Sequence, residues 1–184
     1  MTAGLFPKPY ADFVARLRVP SGFLLAAAFA WFAQPSARSL AYGLPISVGG
    51  LMLRAWAAGH LAKNQQLATS GPYAYTRNPL YLGTLMVAAG LAVAGRSAGL
   101  ALLFALVFLL VYLPVILLEE QHLRQLFPEY ADYAERVPSL LPRRRGSPGA
   151  NHFSWLLYWK NQEYQAALGF LAGLVLLVWK SMLV

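Results

Sequence analysis

The chain contains no cysteine, and charged residues of either sign are few. Without cysteine, a disulfide framework, a thiolate metal site and a thiol nucleophile are all excluded. The three histidines are scattered and form no HExxH-type cluster, so no metal site is predicted. Charged residues make up 12% of the chain, against roughly 25% in an ordinary soluble domain. Together with 58% hydrophobic residues, this scarcity of charge indicates a protein that is surrounded by lipid.

The net charge of +8 has two readings. In a soluble protein it would suggest nucleic acid, but loops beside membrane helices carry Lys and Arg because these residues set the topology. The basic run 143-RRRGSPG-149 is typical of a loop attracted to anionic lipid headgroups. We therefore expect membrane lipid as a partner, and no nucleic acid.

Five apolar segments predict an all-α, polytopic membrane helical bundle that forms a single membrane domain, 1–184. The first segment resembles a signal peptide, but further apolar segments follow it, which favours a retained span. Several segments are shorter than the roughly 20 residues that cross a hydrocarbon core, so interfacial residues must extend them. The last segment has an interfacial helix as its alternative. The predicted spans are 19–33, 38–60, 79–95, 97–118 and 166–179.

The distribution of Lys and Arg predicts the orientation of the bundle. With the N-terminus in the cytoplasm, only Arg38, Arg96 and Lys180 face outward, and Arg54 lies within a span. This asymmetry follows the positive-inside rule. It places the polar stretch 67–83 and the segment 119–164 on the same cytoplasmic face, where a cytosolic ligand can reach both.

The polar stretch 67-LATSGPYAYTRNPLYLG-83 interrupts an otherwise apolar region. Arg77 offers a planar fork that suits a carboxylate. Asn78 precedes Pro79, which biases it away from helical geometry and leaves its side chain to bond a ligand. The stretch is either a polar cradle for a small molecule or an interfacial loop with an aromatic belt.

A second polar segment, 119-EEQHLRQLFPEYADYAERVPSLLPRRR-145, begins where the most apolar span ends. Apolar residues recur in it at helical spacing, which predicts an amphipathic helix. Glu119 lies four residues before Leu123 and is predicted to face the bundle, whereas Glu120 lies four before Arg124 and is predicted to pair with it on the surface. Acids at membrane depth are costly and usually functional.

These motifs resemble the isoprenylcysteine carboxyl methyltransferases, which are related to the phospholipid methyltransferases. The family pattern reads Gly-Pro-Tyr, then Arg-His-Pro-x-Tyr-x-Gly, then Glu-Glu, then Phe-x-x-x-Tyr-x-x-Tyr. The corresponding stretches here are 71–73, 77–83, 119–120 and 127–133. The stretch 53-LRAWAAGHL-61 is similar to a segment of the bacterial members, which indicates a bacterial inner membrane. One departure is Asn78, which stands where the family has His; Asn can donate and accept a hydrogen bond but cannot titrate.

The resemblance implies S-adenosylmethionine as the cofactor. Arg77 would hold its carboxylate, Glu119 or Glu120 would accept from its ammonium or ribose, and tyrosines would line its adenine or sulfonium. The implied cofactor-binding residues are Leu67, Thr69, Gly71, Tyr73, Arg77, Asn78, Pro79, Tyr81, Gly83, Glu119 and Glu120.

Three residues are candidates for a catalytic role: Arg54, His60 and Glu119. Arg54 either snorkels to the membrane surface or faces the cavity and holds an anionic substrate group. His60 is expected at the interface, with proton acceptance as its alternative.

The sequence thus predicts an integral membrane methyltransferase that acts on a lipophilic acceptor, either an isoprenylcysteine carboxylate or a phospholipid. A membrane reductase of the sterol-reductase type, using NADPH, and a non-enzymatic membrane scaffold are the alternatives. The predicted methyltransferase core is 45–142. It contains a cofactor loop at 61–83 and the Glu pair with its amphipathic helix at 119–142, and an extra C-terminal helix is predicted within 150–184.

Overall fold

The structure is a computed structural model that describes residues 8–142 and 152–183, and all regular secondary structure in these ranges is helical. The all-α prediction is therefore confirmed, while the basic loop predicted at 143–149 lies outside the described residues. A 3₁₀ turn at Gly71–Ala74 and a π-helical turn at Phe108–Tyr112 add to the α-helices. The helices are α1 (Lys8–Phe32), α2 (Ala37–Ala58), α3 (Pro79–Ala94), α4 (Ala98–Val107), α5 (Leu113–Leu126), α6 (Tyr130–Arg136), α7 (Trp155–Lys160) and α8 (Tyr164–Ser181).

Each of the five predicted spans falls on a helix. Two helical segments, Ala98–Leu126 and Tyr164–Ser181, are long and apolar enough to cross a membrane, and Pro20–Phe32 and Pro79–Ala94 are shorter apolar helices. Large apolar side chains lie exposed on the outside of the bundle, among them Trp31. Exposed apolar surface of this kind suits contact with lipid. These features indicate a membrane protein, and the arrangement with five spans stays a prediction.

Helices α2 and α3 pack antiparallel through glycines at matching positions. Gly43 lies against Gly90, and Gly50 lies against Gly83, so closely that a Cβ atom on Gly50 would stand 2.6 Å from the Gly83 carbonyl oxygen. Ser47 adds a hydrogen bond from its hydroxyl to the Val87 carbonyl at 3.1 Å. This close pairing brings the last turns of α2 beside the first turns of α3, where the predicted site residues lie.

Two buried clusters mark the ends of the bundle. At the far end of α3, Phe29, Ala94, Leu100 and Leu177 join α1, α3, α4 and α8. At the end where α3 begins, Tyr130, Tyr133 and Val137 form a second core together with Leu67 and Leu123. The predicted amphipathic helix is divided there, because α5 ends at Leu126, Phe127 is extended, and α6 restarts after Pro128.

The C-terminal segment folds back over the end of α2. The predicted extra helix is a pair in the structure, α7 and α8. The Ser154 amide donates to the Gly59 carbonyl at 2.9 Å. The Asn161 side-chain amide donates to the carbonyls of Ala58 and Leu61 at 2.9 and 2.8 Å. Because helix ends leave carbonyls without partners, these contacts cap α2 and fix the segment over it.

Candidate functional site

Two backbone hydrogen bonds join the residues just before α3 to the chain beyond α6. The Arg77 amide donates to the Pro138 carbonyl at 2.9 Å, and the Asn78 amide donates to the Ser139 carbonyl at 3.1 Å. Asn78 has φ −125° and ψ 54°, so it is non-helical, as its position before a proline predicts. This pairing holds the polar stretch 67–83 against the segment that follows the Glu pair.

Glu120 is the centre of a buried polar cluster, which we call the Glu120 clasp and which consists of Arg77, Asn78, Glu120 and Ser139. Arg77 donates to both carboxylate oxygens of Glu120, from Nε at 3.2 Å and from Nη2 at 2.8 Å. The Asn78 amide and the Ser139 hydroxyl each donate to Glu120 Oε1 at 2.7 Å. The carboxylate, 7% exposed, therefore has a charged partner and two neutral donors.

The predicted orientation of the two acids is wrong. Glu120 is buried and Glu119 is exposed. Ile116 and Glu120, four residues apart, share the buried face of α5, and Leu123 lies three residues beyond on that same face. Glu120 consequently pairs with Arg77 rather than with Arg124.

Arg77 is engaged within the protein. Its Nη1 donates to the carbonyls of Ala134 and Val137 at 2.7 and 3.0 Å, in addition to the two bonds to Glu120. These contacts tie α6 to the start of α3. Binding of a cofactor carboxylate by Arg77 stays a prediction, and in this structure its guanidinium already holds a carboxylate of the chain.

The Asn78 side chain is not left for a ligand, contrary to the prediction. It is 9% exposed, and its amide donates to Glu120 and to the carbonyl of Ser139 at 3.1 Å. A neutral imidazole at this position would also have one N–H group to offer Glu120. The contact with Glu120 therefore requires a hydrogen-bond donor at position 78, and this donor does not have to be a titratable group.

Replacing Asn78 by aspartate should destabilise the protein far more than replacing it by histidine. Asn78→Asp removes the donor and sets a second carboxylate beside Glu120, and leaving a buried group unsatisfied costs about 1–3 kcal/mol, more when it is charged. Asn78→His keeps an N–H donor. The apparent melting temperature in detergent, followed by tryptophan fluorescence, measures both variants. Equal melting temperatures would contradict a donor role for Asn78.

Glu119 lies beside Tyr81 at the outer edge of the clasp. The Tyr81 hydroxyl donates to Glu119 Oε1 at 2.8 Å, and the Tyr81 ring meets the Tyr112 ring edge to face at 6.1 Å between centroids. Tyr112 belongs to the π-helical turn that precedes α5. The pair presents an oriented carboxylate to solvent, next to the N-terminus of α3.

Three buried tyrosines form the floor of this region. The Tyr133 hydroxyl donates to the Tyr73 carbonyl at 2.7 Å, which ties the 3₁₀ turn to α6. Burial is the main cause that raises the pKa of each ring, to about 12 for Tyr130, and also upward for Tyr73 and Tyr133. The charges of Glu119 and Glu163 add to the rise in the pKa of Tyr73. These phenols stay neutral near pH 7; Tyr133 bonds through its hydroxyl, whereas the Tyr130 hydroxyl is buried without a hydrogen-bond partner among the described residues.

Arg54 does not snorkel to a surface, since it pairs with Glu163 of the C-terminal segment. Its Nε and Nη2 donate to the two carboxylate oxygens at 2.5 and 3.0 Å. Its Nη1 donates to the Thr84 hydroxyl on α3. The side chains are 22% and 8% exposed. Sequence reasoning missed Glu163, whose signal was a lone acid in the polar piece 158-YWKNQEYQ-165 before an apolar helix.

His60 is buried rather than interfacial, because the chain packs on both of its sides. Its Nδ1 lies 2.9 Å from the Trp56 carbonyl, and a carbonyl only accepts, so Nδ1 is the donor in this contact. A Cβ atom on Gly71, which has φ +58°, would stand 2.7 Å from Nε2. Glycine is thus required there both for its conformation and for the approach of the imidazole. The Phe153 ring packs edge-on at 6.2 Å.

The other predicted cofactor residues are divided between packing and the surface. Leu67 packs on the tyrosine floor, Thr69 is exposed, and Pro79 is buried at the first position of α3. Gly83 lies against Gly50 and the stem of Arg54. The hydroxyl of Ser70 is buried without a hydrogen-bond partner among the described residues. In the described ranges, no group of three or more metal-ligating side chains occurs.

An apolar cavity of about 440 Å³ lies between α1, α3, α4, the π-helical turn and α8. Its size is within the range of ligand pockets, roughly 300–1,000 Å³. Its walls include Thr84, Phe104, Tyr112, Gly169, Gly173 and Leu176. Thr84 and Tyr112 connect it to the polar groups, since one bonds Arg54 and the other packs on Tyr81.

The geometry thus places a polar, tyrosine-rich region beside an apolar cavity, and the same stretch of the chain is similar to one known family. Residues 46–130 match the phospholipid methyltransferase family. This match confirms the resemblance read from the motifs, and it covers just under half of the chain. The matched region contains Arg54, His60 and the Glu pair, whereas Ser139 and Glu163 lie outside it.

Two curated relatives of the matched region are metal-resistance proteins by name. The cobalt-zinc-cadmium resistance protein CzcN of Cupriavidus metallidurans is 41% identical over 92 residues, which cover 49% of this chain and 43% of the relative. The nickel-cobalt-cadmium resistance protein NccN of Alcaligenes xylosoxydans xylosoxydans is 40% identical, with the same coverage. The chain therefore aligns with less than half the length of these relatives. No solved structure gives a significant match.

The residues present fit the cationic part of S-adenosylmethionine. The exposed carboxylate of Glu119, oriented by Tyr81, can accept from an ammonium or a ribose hydroxyl. Tyr81 and Tyr112 offer ring faces and edges beside it, and such faces attract a sulfonium as they attract other cations. The cation predicted for the cofactor's carboxylate, Arg77, is bound to Glu120 instead.

Proposed function

We propose that the chain is an integral membrane methyltransferase that uses S-adenosylmethionine and acts on a lipophilic acceptor. The observation that carries the proposal is the position of the Glu119–Tyr81 pair, beside the Glu120 clasp and next to an apolar cavity. The family match over residues 46–130 supports methyl transfer as the reaction. When bound, the cofactor supplies the methyl group.

The chain's own residues have three tasks in this proposal. The Glu120 clasp holds the polar stretch 67–83 rigid, Glu119 binds the cofactor's ammonium or ribose, and the cavity orients the acceptor. Holding two reactants in line at contact distance removes much of the entropic barrier to transfer. A carboxylate acceptor needs no general base, whereas an amine or a thiol needs one, and the imidazole of His60 is the candidate that the sequence offers. We place the polar end on the cytoplasmic side, where the cofactor is supplied.

Purified protein incubated with methyl-labelled S-adenosylmethionine and membrane lipids should transfer label to a lipid fraction. Glu119→Gln should weaken cofactor binding by about tenfold or more, because a hydrogen bond to a charged group contributes about 1.5–3 kcal/mol. Glu135→Gln, an exposed acid on α6, is the matched control and should bind normally. Calorimetric titration in detergent measures the binding.

Other outcomes of this experiment identify the rivals. Binding of NADPH without binding of S-adenosylmethionine would support a reductase. A folded protein that binds neither cofactor would support a scaffold. Equal cofactor affinity for the wild type and Glu119→Gln would remove Glu119 from the site.

A further inference from the structure

An ion pair lies beside the apolar cavity and is connected to it through one lining residue, Thr84. Thr84 lines the cavity and accepts a hydrogen bond from Arg54. Glu163, the partner of Arg54, immediately precedes α8, and α8 supplies Gly169, Gly173 and Leu176 to the cavity wall. The cavity therefore runs along α8 away from a bound carboxylate.

Arg54 is already arranged as a carboxylate-binding group. Nε and Nη2 donate to the two oxygens of Glu163 side by side, which is the bidentate geometry that guanidinium groups adopt with carboxylates and phosphates. Removing two charges from water is costly, and a buried pair is often no more stable than apolar residues of the same volume. An ionisable residue within a membrane helix is a marker of function. A contribution to stability therefore does not by itself explain the Arg54–Glu163 pair.

Glu163 does not belong to the methyltransferase region. The family match ends at residue 130, and the acid arrives with a segment that is fixed to the end of α2 by Asn161 and Ser154. The carboxylate of Glu163, which lies in this segment, therefore occupies the guanidinium group of Arg54 beside Thr84.

We propose that the cavity binds the hydrocarbon chain of an anionic amphiphile, that Arg54 and Thr84 bind its carboxylate or phosphate head, and that Glu163 occupies the head site until the ligand displaces it. The inference rests on the proposed function in one respect, that this amphiphile is the methyl acceptor. Glu163 is then an internal substitute for the acceptor's head group. Helix α8 limits the length of the acceptor's hydrocarbon chain.

The glycines of α8 provide the space for the chain. In the described part of the chain, a Cβ atom on Gly169 would have no neighbour within 4 Å, and one on Gly173 would meet only a ring atom of Phe29 at 4.0 Å. A larger side chain at either position enters the cavity without a clash against backbone. Each methylene that loses its place should weaken binding by about fourfold, since burying one contributes about 0.8 kcal/mol.

The test is equilibrium dialysis of radiolabelled octanoate, octyl phosphate and octanol against the full chain in zwitterionic nanodiscs, corrected with empty nanodiscs. Glu163→Gln should raise the affinity for at least one of the two anions by about tenfold, the size of one charge-assisted contact, and leave octanol unchanged. Arg54→Gln should abolish the preference for anions over octanol. A preference for octanoate indicates a carboxylate acceptor, and a preference for octyl phosphate indicates a phosphate.

Two leucine variants test the chain site separately from the head site. Gly173→Leu should weaken binding of all three probes. Gly22→Leu, on an exposed face of α1 where a Cβ atom has no neighbour within 4 Å among the described residues, is the matched control and should bind as the wild type does. If Gly173→Leu fails to fold, Gly169→Ala, which adds a single methyl group, takes its place and should weaken binding by a smaller factor.

Several results would overturn the inference. These are an unchanged or lower anion affinity in folded Glu163→Gln, octanol binding as well as the anions to that variant, or equal binding to both leucine variants. If Glu163→Gln does not fold without ligand, octanoate or octyl phosphate, but not octanol, should restore its melting transition. Failure of both anions to restore the transition would count against the proposal. No cofactor is present, so the result is independent of methyl transfer. Anion binding without any transferred methyl group would leave this inference standing and refute the proposed function.

Discussion

Replacing Glu120 by glutamine is expected to lower the stability of the folded protein by about 3 kcal/mol or more. The change removes the charge that pairs with Arg77, whose side chain is only 12% exposed. Breaking a buried ion pair by removing one partner costs about 3–5 kcal/mol, because the remaining charge is left without compensation. The glutamine amide also brings N–H groups toward Arg77, Asn78 and Ser139, all of which are donors in this cluster. The apparent melting temperature in detergent measures the loss.

Glu119→Gln is the matched control for this experiment, since it makes the same chemical change one residue away. Glu119 is exposed and bonds Tyr81, and exposed polar contacts contribute about 0–1 kcal/mol. We expect its melting temperature to stay near that of the wild type while its affinity for the cofactor falls. A larger loss of stability in Glu119→Gln than in Glu120→Gln would show that the clasp does not hold the site together.

Replacing Gly50 by alanine should separate α2 from α3 and destabilise the protein by about 1–3 kcal/mol or more, the usual cost of overpacking. The added methyl group would stand 2.6 Å from the Gly83 carbonyl oxygen and 2.8 Å from the Val87 amide nitrogen. Both neighbours are backbone atoms in a helix, so neither can move aside alone. Because Arg54 lies one turn further along α2, its contact with Thr84 should be lost as well.

Gly49, the residue directly before Gly50, provides a matched control in the same helix. A Cβ atom there would meet only the Met86 methyl group, at 3.6 Å, which is ordinary contact. Alanine in a helix interior is favoured over glycine by about 1 kcal/mol, so Gly49→Ala should melt at or above the wild-type temperature. If both variants behaved alike, the close approach of the two helices would not exist in the protein.

Local patterns predicted the features that depend on neighbours in sequence. The helical fold, the start of α3 at Pro79 and the non-helical backbone of Asn78 each follow from propensity or from the geometry before a proline. The grouping of the polar stretch with the Glu pair followed from the resemblance, and the family match confirms that resemblance.

The sequence did not reveal which acid is buried, for a physical reason. Leu123 lies four residues from Glu119 and three from Glu120, and both spacings place residues on one side of a helix. The contacts of Glu120 with Arg77, Asn78 and Ser139 decide between them. A π-helical turn at Phe108–Tyr112 also adds a residue to the helix before it reaches the pair. Glu163 was beyond any local pattern, because 109 positions separate it from Arg54.

That same separation has a consequence for biosynthesis. At roughly 5–20 residues per second, a ribosome needs roughly 5–20 s to advance from Arg54 to Glu163. During this interval α2 and α3 already exist, and Thr84 is available to the guanidinium, but its counter-ion has not been made. Until then Thr84 is a partner for Arg54 within the helix pair, and the carboxylate partner arrives only with the segment that precedes α8.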